Sequence, residues 1–177
     1  MRRLLLMRHA KTEHDAPSGK DVDRRLDDRG RIDAAAMGAW LNRHPPLPDL
    51  ACVSTAVRAR QTWDLVAAEM TNASPLAAHL DELYGAGPAD LLAVIRAAAI
   101  EDPANLMIIG HNPGLHELAL GLIGDGDSEG RQAIASNLPT GSIVAIDFAT
   151  DDWNEVAFRQ GTLVQFVSPK LLKGGGE

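Results

Sequence analysis

The stretch Leu4-Leu5-Leu6-Met7-Arg8-His9-Ala10-Lys11-Thr12-Glu13 decides how the chain is read. Four apolar residues run without a break, too few for a helix, and then give way to an arginine and a histidine. Such a run predicts a strand buried on both faces, the type found in parallel sheets. Parallel sheets bind ligands in the crevice beyond the carboxyl ends of their strands. Arg8 and His9 stand at that end.

Two further stretches repeat the design. Leu50-Ala51-Cys52-Val53 is apolar and leads through Ser54-Thr55 to Arg58, on a helix whose Trp63, Val66, Ala67 and Met70 fit the i, i+3, i+4, i+7 template. Asn105 to Gly110 is a third strand, ending in His111-Asn112-Pro113-Gly114. Parallel strands end on one side of a sheet, so Arg8, His9, Arg58 and His111 can converge although far apart in sequence. Arginine grips phosphate oxygens bidentately and keeps its charge. Histidine can attack when neutral and clamp when charged. This residue set suits phosphoryl transfer, and no step of it calls for a metal or an organic cofactor.

Between these stretches, 14–25 reads as a loop around Pro17-Ser18-Gly19. Asp27 or Asp28 caps a helix carrying Ile32, Ala36, Trp40 and Leu41 on one face, closed by His44-Pro45-Pro46. Leu76–Leu80 is a short edge strand, and Pro88 opens a helix that buries Leu91, Leu92, Ile95 and Ala99. A helix from Leu115 to Ile123 stops at Gly124, with a turn at Asp125-Gly126-Asp127. Residues 141–148, 153–159 and 163–167 alternate as strands, the last two joined near Gln160-Gly161. Strands and helices alternate to about residue 136 and strands dominate afterwards. This predicts an α/β three-layer α/β/α sandwich on a mostly parallel mixed sheet.

Composition narrows the function classes. The 177 residues suffice for one domain, and 45% apolar content with only 4% aromatics implies an aliphatic core. A net charge of −7 argues against non-specific nucleic-acid binding, which needs a basic face. The one cysteine, Cys52, lies in an apolar run and cannot form an internal disulfide. No stretch approaches the ~20 apolar residues of a membrane helix, so a soluble cytoplasmic protein is expected.

The blocks Leu6-Met7-Arg8-His9-Ala10-Lys11-Thr12, Arg24-Arg25-Leu26 with Arg29-Gly30-Arg31, Ser54 to Thr62, Leu80-Asp81-Glu82-Leu83-Tyr84 and Gly110-His111-Asn112-Pro113 resemble, in order, the histidine phosphatase superfamily. The likeness runs from residue 4 to about residue 120 and is nearest to the small SixA-type phosphohistidine phosphatases. It implies a phosphoglycerate-mutase-like fold, and the chain is expected to form one such domain over residues 1–170, with a flexible tail at 171–177 marked by Gly174-Gly175-Gly176. His9 would be the nucleophile that becomes phosphohistidine. Arg8, Arg58 and a protonated His111 would hold the phosphoryl oxygens, and a backbone carbonyl would fix the tautomer of His9. Glu82 stands where many relatives keep the acid that protonates the leaving group. Ala10 replaces the usual glycine, and Asp15 replaces an asparagine of mutase-like members and is expected to point away. The implied substrate is phosphohistidine in a protein, with a small phosphorylated metabolite as the alternative. A non-catalytic phosphate-binding scaffold is the reading from another class.

Overall fold

The computed structural model describes residues 1–175 and places the first apolar run at the centre of the sheet. Strand β1 (Arg2–Arg8) lies between β4 (Asn105–Gly110), parallel to it, and β6 (Ile143–Phe148), antiparallel to it. Beyond β4 come β2 (Leu50–Ser54) and then β3 (Leu76–Leu80) at the edge, both parallel. On the other side β7 (Gly161–Val167) pairs antiparallel with β6, and β5 (Ile123–Gly126) pairs parallel with β7. Among the described residues the order is β3-β2-β4-β1-β6-β7-β5. The expected three-layer architecture with a mixed sheet is therefore present.

Alternation along β1 divides the core. Leu4 and Leu6 join an apolar cluster with α3 (Pro88–Ala97), α4 (Gly114–Leu122) and Ile134 of α5 (Ser128–Ser136). Leu5 and Met7 join a second cluster with α1 (Asp28–Arg43) and α2 (Val57–Glu69) on the opposite face. Both sets are fully or almost fully buried, which is why this strand shows no polar alternation. Asp27 caps α1 by accepting from the Gly30 amide at 2.7 Å.

Several local expectations are corrected. The buried stripe of α1 runs through Ala34, Met37, Trp40 and Leu41, whereas Ile32 and Ala36 face solvent. Ile32 is one position out of phase with that stripe. Residues 123–126 form β5 rather than a turn: Ile-Gly-Asp-Gly has too few side chains to show period-two alternation. Residues 153–159 form no strand. Trp153 and Val156 are both fully buried three residues apart, the spacing of a tight helical turn, and Asp152 caps that turn by accepting from the Asn154 amide at 2.9 Å. Pro169–Gly175 forms helix α6, which the sequence reading did not expect, with its Leu172 packed against the α1–α2 cluster. Gly176 and Glu177 lie outside the described residues.

Candidate active site

Register brings the chemistry into one row. Arg8 pairs with Gly110, so His9 and His111 each follow a strand end at the same level. Val53 pairs with Ile109, and Ser54 with Leu80, which extends the row through Ser54 to the segment carrying Tyr84. Four parallel strands end together here, the three the sequence predicts and the edge strand β3. Arg8, His9, Arg58 and His111 come together, with the His9 and His111 ring centroids 5.3 Å apart.

His9 is buried, and its Nδ1–H donates to the carbonyl oxygen of Ala10 at 2.8 Å. A carbonyl only accepts, so the proton sits on Nδ1 and Nε2 keeps its lone pair. Burial is the main influence on its titration. Neighbouring His111, Arg58 and Arg8 act in the same direction, against the Ala10 bond, and the imidazole is pushed down to about 3. The ring is therefore neutral at physiological pH. Ala10 is tolerated in place of glycine because its φ is not positive. Its amide donates to Thr62 Oγ1 at 3.0 Å, and that hydroxyl donates to the Arg58 carbonyl, tying the His9 turn to α2.

His111 Nε2 lies 2.7 Å from Ser54 Oγ, and Nδ1 is buried with no hydrogen-bond partner. Burial first, then Arg58, push this imidazole down to about 4. In the free site the His111 ring is therefore neutral at physiological pH. The two arginines are cationic near-neighbours: burial, then Arg58, lower the affinity of Arg8 for its proton. Arg8 donates to the Leu138 carbonyl at 3.1 Å, and Asn112 donates to the same oxygen at 2.9 Å. The Nε atoms of Arg8 and Arg58 are buried donors without partners. Unmatched donors and neighbouring cations around a neutral histidine make a receptor for an oxyanion.

Two residues that the sequence reading passed over complete the site. Asp21 accepts from Arg58 at its carbonyl (2.8 Å) and at its carboxylate (3.0 Å). It also accepts from the Tyr84 hydroxyl at 2.6 Å and from Arg24 at 2.9 Å. Tyr84, then Arg58 and Arg24, hold this carboxyl down to about 2, so it is a fixed negative charge. The Tyr84 ring meets His111 edge-on, centroids 5.5 Å apart. Asp21 lay hidden in a polar loop with no periodicity. Tyr84, the one tyrosine of the chain, was the available signal.

Glu82 lies two residues beyond the end of β3. Its side chain is exposed and lines a groove with Leu50, Cys52 and Leu80, on the α3 side of the sheet. Among the described residues, no hydrogen bond or ion pair joins it to Arg8, His9, Arg58 or His111. Within the short turn Asp81–Leu83, Glu82 is exposed and Leu83 is buried. Asp15 is exposed, in the loop that also carries Asp21.

The sequence model of the histidine phosphatase superfamily (branch 1) matches residues 4–86. An uncharacterized protein of Mycobacterium leprae is 32% identical over 170 residues, which span 93% of this chain and 100% of that protein. A structure from Nakamurella multipartitia, named after the phosphohistidine phosphatase SixA, superposes with a TM-score of 0.81 at 28% identity, covering 95% of this chain and 96% of that one. Another SixA-named structure, from Agrobacterium tumefaciens, gives 0.79 at 27% identity over 95% and 98%. With the row of strand-end residues, these likenesses define the class: the protein is a phosphatase. The chain belongs to the histidine phosphatase superfamily, whose reaction passes through a phosphohistidine intermediate.

Proposed function

We propose that this phosphatase acts on phosphohistidine in a protein, with His9 as the nucleophile. The observation that carries the reading is the His9 ring itself, neutral, pinned at Nδ1 and presenting an unprotonated Nε2 beside two arginines. Nε2 attacks phosphorus while the bond to the substrate's ring nitrogen breaks. The electron pair departs on that nitrogen, which takes a proton from solvent. Water then attacks phospho-His9. The phosphorus–Nε2 bond breaks, and inorganic phosphate leaves with the water oxygen. Arg8 and Arg58 balance charge on the equatorial oxygens in both steps. His111, neutral in the free site, becomes easier to protonate once a dianion lies beside it.

Two features favour phosphohistidine over an alkyl phosphate. An alkoxide needs a positioned acid as it leaves, whereas an imidazole, with its reference pKa of ~6.5, can leave neutral with solvent's help. Asp21 is ionised and Glu82 is exposed, with no hydrogen bond to the row among the described residues, which favours a leaving group that needs no seated acid. The mouth is also open, since only residues 81–87 separate β3 from α3 and Tyr84 reaches the surface. A macromolecular phosphohistidine can approach such a mouth. Among the described residues no helix is long and apolar enough to cross a membrane. The buried free Cys52 suits the reducing cytoplasm, which we take as the protein's location.

The test is trapping. Wild-type protein quenched under alkaline conditions during turnover should carry one phosphate on His9, and His9→Ala should be folded and inactive. An adduct on His111 would reverse the roles of nucleophile and clamp.

A further inference from the structure

A groove of about 740 Å³ opens between the outer strands and α3 on the face away from α1 and α2. Its floor comes from same-face residues of β2 and β3, Leu50 and Cys52 with Ala78 and Leu80. Its far wall is the exposed side of α3, where Ala93 and Ala97 leave room, and beyond the helix Ile100 is 87% exposed. Glu82, Asp90 and Glu101 line it as well, and among the described residues no lysine, arginine or histidine does. The groove runs into the active site, because Tyr84 lines one end while its hydroxyl bonds Asp21 and its ring abuts His111.

We infer that this groove docks a basic amphipathic helix of the phosphorylated protein, presenting its phosphohistidine to His9. The inference rests on the phosphohistidine reading above and adds the recognition surface. Three properties select the occupant. The apolar floor calls for an apolar stripe. Three carboxylates without a countercharge call for lysine or arginine flanking that stripe. They also disfavour an anionic lipid, or a second copy of this acidic chain. The third property is backbone chemistry. The floor is the side-chain face of the sheet, so an extended peptide lying there would bury its amides without partners, whereas a helix satisfies its own.

The experiment uses two chemically phosphorylated histidine peptides and free phosphohistidine. One peptide carries leucines at i, i+3, i+4 and i+7 with lysines beside them. The other has the leucines replaced by serine. The leucine peptide should show a KM about tenfold or more below the serine peptide, as expected when several leucines leave water. Ala97→Lys combined with Glu101→Lys should erase that advantage and leave kcat/KM on free phosphohistidine unchanged. Both positions are exposed, and lysine is a good helix former at 97. A fluorescent, unphosphorylated leucine peptide should lose binding to the same variant. Equal KM for the two peptides, or unchanged peptide binding by the variant, would overturn the groove as the docking surface. No turnover of any phosphohistidine probe, with the fluorescent peptide still bound through Ala97 and Glu101, would overturn the substrate reading and uphold the groove.

Discussion

At Arg58 the requirements of geometry and charge separate most clearly. Both terminal nitrogens of its guanidinium are held by Asp21, and its Nε is the unmatched donor. A planar fork serves an anchor and an oxyanion at once, which an ammonium cannot do. Arg58→Lys is therefore expected to lower kcat and kcat/KM together by about 10²-fold, the scale of losing one transition-state donor. Steady-state kinetics on a phosphohistidine substrate checks this, and unchanged constants would put Arg58 outside the reacting centre. Glu82 gives the opposite expectation. Exposed on the groove wall, it should act little on bond breaking, so Glu82→Gln should change first-turnover rates by less than about tenfold on phosphohistidine and on alkyl phosphate alike. A loss of ~10²–10⁴-fold confined to the alkyl phosphate would establish Glu82 as the acid after all.

At the scale of elements, the site depends on how closely α4 approaches the loop after Tyr84. A Cβ at Gly114 would run into the carbonyl oxygen of Ala86, and backbone gives way less readily than a side chain. Gly114→Ala should cost about 1–3 kcal/mol as an overpacking change. It should also displace the segment carrying Tyr84, and so weaken the anchoring of Asp21. Thermal denaturation with parallel kinetics is the measurement, and wild-type values in both would show that the loop yields freely. The elements themselves were largely legible. Apolar runs marked β1, β2 and β4, and helical spacing marked α2 and α3, because burial imprints a local period. Where no period was written, as in the glycine-rich β5 and the turn at Trp153, reading failed. In those segments pairing with β7 and packing against the core decide the conformation.

For the whole molecule, two buried neutral histidines link stability to pH. His9 and His111 have folded values of about 3 and about 4, below the ordinary histidine value of 6.5. Above pH 6.5 both states hold these rings neutral and nothing is lost. As pH falls below 6.5 the unfolded chain takes up protons that the native site refuses, so stability declines toward pH 4. For His9 the limiting slope is about 1.4 kcal/mol per pH unit. Melting temperature followed from pH 7.5 to 4.5 should fall, and His9→Gln should fall less steeply. Parallel curves would mean that His9 is not buried in its neutral form in solution.

The sequence by itself determined the layered α/β class and four residues of the row, Arg8, His9, Arg58 and His111. Apolar run length, helical spacing and side-chain chemistry are local properties that a single chain displays. Only the tertiary structure decided that β4 lies between β1 and β2, that Asp21 and Tyr84 cross to Arg58, and that Glu82 lines the groove. It also decided that both histidines rest neutral. The desolvation of both rings, the Ser54 partner of His111 and the Asp21 bonds to Arg58 and Tyr84 come from residues tens of positions apart in the chain, and no window of sequence records which of them will meet.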